Sequence, residues 1–303
     1  MKYIWIFTLL TIITTTDIHA ECSSSGIRVF PRTEVISTNP IFIVQGYALS
    51  QSVINQLNQR NSIYLTSGKD RISLTVIKTI KGQFSMAQAL LKPTTELISG
   101  RHYKLNIDSL DEYELEDFLR DSIGWTASNE ADNTKPIWQV PPSYKSKGVI
   151  FYGCGPAVLV NFCACISDNS PVVVYTKIKN LKTNSIAEYY INPDSSYLKL
   201  GHGMCSGAFN FDKGQEYEVT FLLMDASGNT SETETHPIKF ISPTEKDLIN
   251  HDEKVDCNCP PVKQTIGKIQ TGNYNYLLWT VLSVIVLTVA FIIIKRKTQH
   301  DTK

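Results

Sequence analysis

Apolar and polar residues alternate along most of this chain, and a helical period is scarce. In "RISLTVIKTI" (71–80), Ile72, Leu74, Val76 and Ile80 fall on one face, opposite Arg71, Ser73 and Thr75. In "HYKLNID" (102–108), Tyr103, Leu105 and Ile107 face one way and His102, Lys104, Asn106 and Asp108 the other. Successive side chains of a strand leave the backbone on opposite sides, so a period of two marks a half-buried strand. "NPIFIVQG" (39–46) adds a short apolar run that starts at a proline, which suits another strand. One exception is "SQSVINQLNQR" (50–60), where Ser50 is placed to cap a short helix with Val53 and Leu57 on one side.

The alternation returns further along. Val158, Val160, Phe162, Ala164 and Ile166 share a face in "AVLVNFCACIS"; Val172, Val174, Thr176 and Ile178 share one in "VVVYTKIKNL"; Tyr217, Val219, Phe221 and Leu223 share one in "YEVTFLLMD". "DASGNTSE" then supplies Gly-Asn at a turn, and "HPIKFIS" returns as a last strand. Short strands at regular spacing with turns between them predict an all-β fold of two tandem β-sandwiches. The polar run 127–135 has no apolar period. It predicts a linker at 129–136 between a first domain, 21–128, and a second, 137–242.

The ends set the compartment. Residues 1–20 combine Lys2, an apolar stretch and a small residue, Ala20, in the pattern of a secretory signal peptide. Glu21 before Cys22 argues against lipidation of that cysteine. Residues 276–294 carry no charge and, at about 1.5 Å per residue, approach the thickness of a bilayer core. Tyr274, Tyr276 and Trp279 suit the outer interface, and Lys295, Arg296 and Lys297 the cytoplasmic side. The expectation is a single-pass membrane protein with its N-terminal domains outside the cytoplasm, in a bacterial periplasm or at a cell surface. A polar, proline-containing stalk (243–275) and a short basic tail (295–303) flank the helix. A C-terminal segment cut off as a sorting signal is the alternative.

Two stretches carry a resemblance. "LKPTTELISGRHYKLNIDSL" (91–110), followed by "IGWTASNEADNTKP" (123–136), resembles the closing part of bacterial Ig-like domains of surface-layer and related cell-surface proteins. "KGQEYEVTFLLMDASGNTSE" (213–232) resembles the end of a bacterial Ig-like or fibronectin-type domain. The matches span about a third of the first domain and about a fifth of the second. The resemblance implies Ig-like sandwiches and a role in surface architecture or binding. The cysteine segments lie outside the shared pattern, and fold alone does not settle function.

Charge and motifs narrow the classes further. Lys and Arg number 29 and Asp and Glu 29, so there is no electrostatic footprint for nucleic acid. The chain has no G-x-S-x-G, H-E-x-x-H, Walker or dinucleotide motif. "GCGPAV" offers Cys154 as a nucleophile only with a histidine beside it, and His202 is its nearest candidate. The acidic run 111–121 reads as a solvated loop or a helical turn. Its carboxylates suit a hard cation, but their spacing does not match a calcium loop. We therefore expect no catalysis, no cofactor, and an unidentified protein or cell-surface ligand as partner.

All seven cysteines (Cys22, Cys154, Cys163, Cys165, Cys205, Cys257 and Cys259) fall in the exported part, where disulfides persist. Their number is odd, so one is left free or pairs between chains. Strand phase turns Cys163 and Cys165 away from the core, on the side of Asn161. There they are expected to form disulfides with Cys154 and Cys205, with the connectivity open. Cys257 and Cys259, in the stalk, are expected to link two copies as a homodimer, or else to bridge locally or to Cys22. The alternative is a copper or zinc module, in which Cys163, Cys165, His202, Met204 and Cys205 supply soft ligands.

Overall fold

The computed structural model describes residues 25–108, 110, 124–194, 196–249, 255 and 257–259. The expected signal peptide, Cys22, the acidic run 111–121, the apolar segment 276–294 and the basic tail lie outside the described residues. Among those described, the fold is predominantly β, and no helix is long and apolar enough to cross a membrane.

The first half contains β1 (Gly26–Phe30), β2 (Val35–Ile36), β3 (Phe42–Tyr47), β4 (Ile63–Ser67), β5 (Asp70–Lys81), β6 (Met86–Pro93), β7 (His102–Ile107) and β8 (Gly124–Ala127). They form one eight-stranded sheet in the order β1-β3-β6-β5-β4-β7-β8-β2. The sheet encloses a core that includes Phe42, Leu65, Leu91, Tyr103 and Trp125, with the Trp125 ring 4.9 Å from that of Phe42. The inward face of β7 is Tyr103, Leu105 and Ile107, the phase its sequence predicts. In β5 the phase changes midway. Val76 pairs with Leu91 but Lys78 with Leu90, so Ile77 is an extra residue. A bulge of one residue reverses which side the later residues face. Leu74 therefore stays in the first core, while Ile80, expected on the same face, is buried in the core of the second half.

A short α-helix, α1 (Gln51–Asn55), follows a 3-10 turn at Ala48–Ser50 and packs Val53 and Ile54 inward. Ser50 precedes it as expected, but its side chain makes no capping bond, and its hydroxyl is buried without a partner among the described residues.

The second half contains β9 (Ile137–Tyr152), β10 (Gly155–Ser167), β11 (Val172–Asn180), β12 (Ile186–Ile191), β13 (Tyr197–His202), β14 (Glu216–Asp225) and β15 (Ile238–Ile241). A three-stranded sheet, β13-β10-β9, faces a four-stranded one, β12-β11-β14-β15. Val160, Phe162 and Ala164 of β10 meet Val174, Ile178, Val219, Phe221 and Leu223 in one core, with the Phe162 ring 5.4 Å from Phe221 and 5.6 Å from Phe240. This is a β-sandwich-like arrangement in which the even positions of β10 face inward, as their pattern requires. Strand β9 has little alternation and contains Pro141 and Pro142. It is tolerated because it is an edge strand. The prolines sit in a bulge, with Cys163 opposite Ser143 and Cys165 opposite Val140.

The two halves share a third core of Phe30, Ile41, Ile43 and Leu90 against Val173, Met224 and Ala226. Gln88 extends the contact like a length of backbone. Its Nε2 donates to the Tyr190 carbonyl at 2.7 Å, and its Oε1 accepts the Tyr190 N–H at 3.1 Å. Phe84 and Gly207 exchange backbone hydrogen bonds of 3.1 and 2.7 Å. The segment expected to be a linker is also tied down. Asn39 bonds both the carbonyl and the N–H of Asp132 at 3.0 Å, and Asn229 donates to the same carbonyl. The described residues form one compact unit.

Candidate functional site

The long β9–β10 hairpin decides which cysteines can meet. Cys154 lies at its tip, exposed and with a free thiol. Cys163 is nine residues along β10, about 30 Å away at the rise of a strand. A bond between them is out of reach, because a disulfide needs Cα atoms about 4.4–6.8 Å apart. Cys205 follows the end of β13 where His202 pairs with Val158, at the same end of the hairpin as Cys154. It is disulfide-bonded, but not to Cys163 or Cys165. The expectation of two bridges among Cys154, Cys163, Cys165 and Cys205 therefore fails, for a geometric reason: an extended strand holds the two pairs at opposite ends.

Cys163 and Cys165 do point to the outer face, and there they meet the C-terminal segment. Cys163 bonds to Cys257 and Cys165 to Cys259, with Cα separations of 5.5 and 5.7 Å. The two C-x-C motifs thus lie alongside each other as a double bridge. Both sulfurs expected to join two copies in the stalk are consumed within the chain, which removes Cys257 and Cys259 as interchain links.

The segment leading to this bridge is not free. Val149 of β9 donates its N–H to the Asp247 carbonyl at 2.8 Å and accepts the Ile249 N–H at 3.1 Å. Lys147 reaches the Asp247 carboxylate at 3.4 Å and the Ser242 carbonyl at 3.3 Å. Asp247 also accepts the N–H and the hydroxyl of Thr244, at 2.7 and 2.9 Å. The Thr244 N–H, ahead of the Lys147 charge, lowers the Asp247 pKa below the usual carboxylate value. Ile249 lies over Gly148, where any side chain would collide with it. Residues 242–249 thus form a strap across the edge strand, riveted beyond by the double bridge.

The soft-ligand set is dispersed by the same geometry. His202 is five residues along the ladder from Tyr197, the partner of Cys163, a distance of about 16 Å. Its ring is buried, with Nδ1 2.7 Å from the Gly203 carbonyl and an edge contact to Phe84. The sulfurs of Cys163, Cys165 and Cys205 are bonded in disulfides and offer no thiolate. Met204 is partly exposed beside Cys205. These residues do not assemble a copper or zinc site.

A different constellation sits at the junction of the halves. Asp132 comes from the connecting segment, Asp168 from the β10–β11 turn and Asp225 from the end of β14. One carboxylate oxygen of each lies within 4.8 Å of the others. Asp225 is fully buried and Asp132 is 9% exposed. Asp225 Oδ1 accepts the N–H groups of Ser227 and Asn229, and its Oδ2 accepts the Asn229 side chain. Asp132 accepts from the Thr134 N–H and the Ser170 hydroxyl. Asp168 Oδ1 accepts the Ser170 N–H, while Oδ2 is enclosed and no donor among the described residues reaches it. Burial raises the pKa of both Asp168 and Asp225, and the neighbouring carboxylates add to it. Sequence reasoning missed this group because each aspartate reads by itself as a turn former. "SDNSP" and "MDASGN" are the signals that were available.

No protein-family model and no curated protein matches this chain. Among solved structures, a pullulanase from Anoxybacillus sp. LM18-11 aligns over 66% of this chain and 24% of its own, at 8% identity and a TM-score of 0.22. This chain thus spans about a quarter of that enzyme's length. A cytokine receptor complex aligns over 71% of this chain and 94% of its own, at 9% identity and a TM-score of 0.23. A β-glucuronidase from Ruminococcus gnavus in complex with D-glucuronic acid aligns over 67% and 36%, at 13% identity and a TM-score of 0.17. Likenesses this weak carry no argument about activity.

Proposed function

We propose that this chain is a membrane-anchored, extracytoplasmic binding or structural protein. It presents two Ig-like sandwiches to a protein or cell-surface ligand and does so without catalysis. The observation that carries the reading is the oxidised state of its cysteines. Two bridges join C-x-C motifs and Cys205 is also bonded, a usage that belongs to compartments outside the reducing cytoplasm. The signal-peptide pattern at 1–20 and the uncharged segment 276–294 agree with it. The mechanism is presentation. The apolar segment anchors, and the shared core fixes the first sandwich upon the second.

Cys154 supplies the test, since it is exposed and free. In spheroplasts expressing the full-length protein, a membrane-impermeant maleimide should label Cys154, and C154S should remove the label. The protein should stay with the membrane fraction through alkaline extraction. Labelling that begins only after lysis, or release into the soluble fraction, would sink the proposal.

A further inference from the structure

We infer that Cys22 and Cys205 are joined by a disulfide that fastens the start of the first half to the loop after β13 in the second. The inference rests on the exported location proposed above, which supplies the oxidant. Cys205 is disulfide-bonded. The bridges Cys163–Cys257 and Cys165–Cys259 consume four of the seven cysteines. Cys154 carries a free thiol. Cys22 is then the one partner left for Cys205 within the chain.

The described residues bring the two within reach, although Cys22 itself precedes them. Ser25, three residues after Cys22, is buried, so the chain enters β1 from a fixed point. Gly26 opposes Tyr47, and Tyr47 opposes Met86. At about 4.8 Å per strand spacing, Gly26 and Met86 lie about 10 Å apart. Phe84, two residues back along the chain, is at most about 7 Å further. Its backbone bonds to Gly207 add one more spacing, about 5 Å. The path from Gly26 to Gly207 is therefore about 22 Å at most. Four residues lead back from Gly26 to Cys22, about 14 Å when extended, and two lead from Gly207 to Cys205, about 7 Å. The bond itself spans about 4.4–6.8 Å between Cα atoms, so the reach exceeds the gap.

The loop also holds Cys205 ready. Gly203 donates its N–H to the Ser206 carbonyl at 2.9 Å, and Phe209 donates to the Gly201 carbonyl at 3.2 Å. A tether of a few residues gives the Cys22 thiol an effective concentration on the order of millimolar. A bond from Cys205 to a second copy lacks that advantage and leaves Cys22 unpaired where thiols oxidise. Formation is a thiol–disulfide exchange with a disulfide oxidoreductase of the export compartment. One thiolate of the chain attacks the oxidoreductase disulfide, and the other then displaces it from the mixed disulfide. The two thiols of the chain are oxidised, and the oxidoreductase leaves as a dithiol with both hydrogens. The closed loop takes in β1 to β13, so the halves that share a core are also joined covalently.

The test uses full-length protein, purified in neutral detergent and denatured in N-ethylmaleimide without reductant. Tryptic peptides are then mapped by mass spectrometry. We expect the peptide 200–213 to run joined to the one that carries Cys22 and ends at Arg28. The pair should weigh two hydrogens less than its parts and separate on reduction. Cys154 should carry the single maleimide of the chain. In Cys22→Ser the maleimide count should rise from one to two, with the new label on Cys205; in Cys205→Ser the new label should be on Cys22. If either variant fails to fold, the wild-type map decides alone. Cys205 joined to Cys154 or to a second copy, or maleimide on Cys22 in the wild type, overturns the inference. Such a result leaves the exported location standing, because the double bridge still reports oxidation. Maleimide on all of Cys163, Cys165, Cys257 and Cys259 as well would strike the location and the inference together.

Discussion

Removing either bridge of the C-terminal pair should cost far less than removing both, and the arithmetic follows from the loops they close. Each bridge alone spans 94 residues. In the chain-entropy model, closing a loop of that length restrains the unfolded chain by about 4.7 kcal/mol at 25 °C. Once one bridge is in place, the second closes only the ring made of residues 163–165 and 257–259. The same relation gives about 2.2 kcal/mol for a ring of about six residues. The double variant Cys163→Ser with Cys257→Ser should therefore lose about 2 kcal/mol, and Cys165→Ser with Cys259→Ser about the same. The quadruple variant should lose about 7 kcal/mol, well beyond the sum of the two. Urea unfolding followed by tryptophan fluorescence reads this out, because Trp125 is fully buried in the first half and Trp138 is partly buried in the second. If the two losses add to that of the quadruple variant, the two bridges do not share one loop and the reasoning is refuted.

Three further outcomes follow from the packing. Phe162→Ala empties the centre of the second core and should destabilise by about 3–5 kcal/mol, read as a lower urea midpoint. Gly201 has φ +123°, and a side chain there would land on the Val158 carbonyl. Gly201→Ala should therefore lower the unfolding temperature more than Gly68→Ala, where φ is +60° and nothing lies within 4 Å. The lowered pKa of Asp247 means that its contribution is present above about pH 4 and is lost as pH falls through the folded-state value, below 3.8. The stability gap between wild type and Asp247→Asn should accordingly be open at neutral pH and narrow as the pH falls below 3.8. A gap that does not change with pH would show that the carboxylate is not held by Thr244 and Lys147.

Local alternation was a good guide wherever one face of a strand met a core and the other met water. The inward residues of β7, β10 and β14 stand where a period of two puts them. It failed at β5, because nothing local announces that Ile77 is an extra residue, and it is that bulge which hands Ile80 to the other core. It was weak for β3, whose Phe42 and Ile43 serve cores on opposite sides. Phase also showed which way Cys163 and Cys165 point. Choosing their partners needed the length of β10 and the path of the strap, both of which are long-range facts. The junction aspartates were the least legible. They lie 36 and 57 residues apart in the chain (132 to 168, 168 to 225), and only the packing of the two halves brings them together.

The double bridge also has a mechanical meaning. A pull applied from the C-terminal side reaches Cys257 and Cys259 first and passes through sulfur into β10, the central strand of its sheet. The strap and the edge strand β15 are bypassed and bear none of it. The 94 residues between the bridged cysteines, about 320 Å of extended chain, are withheld from stretching for as long as the bridges hold. Under tension the strands inside that covalent loop, β11 to β15, are withheld from extension, and what yields first must lie outside it, in β9, the N-terminal part of β10 or the first half.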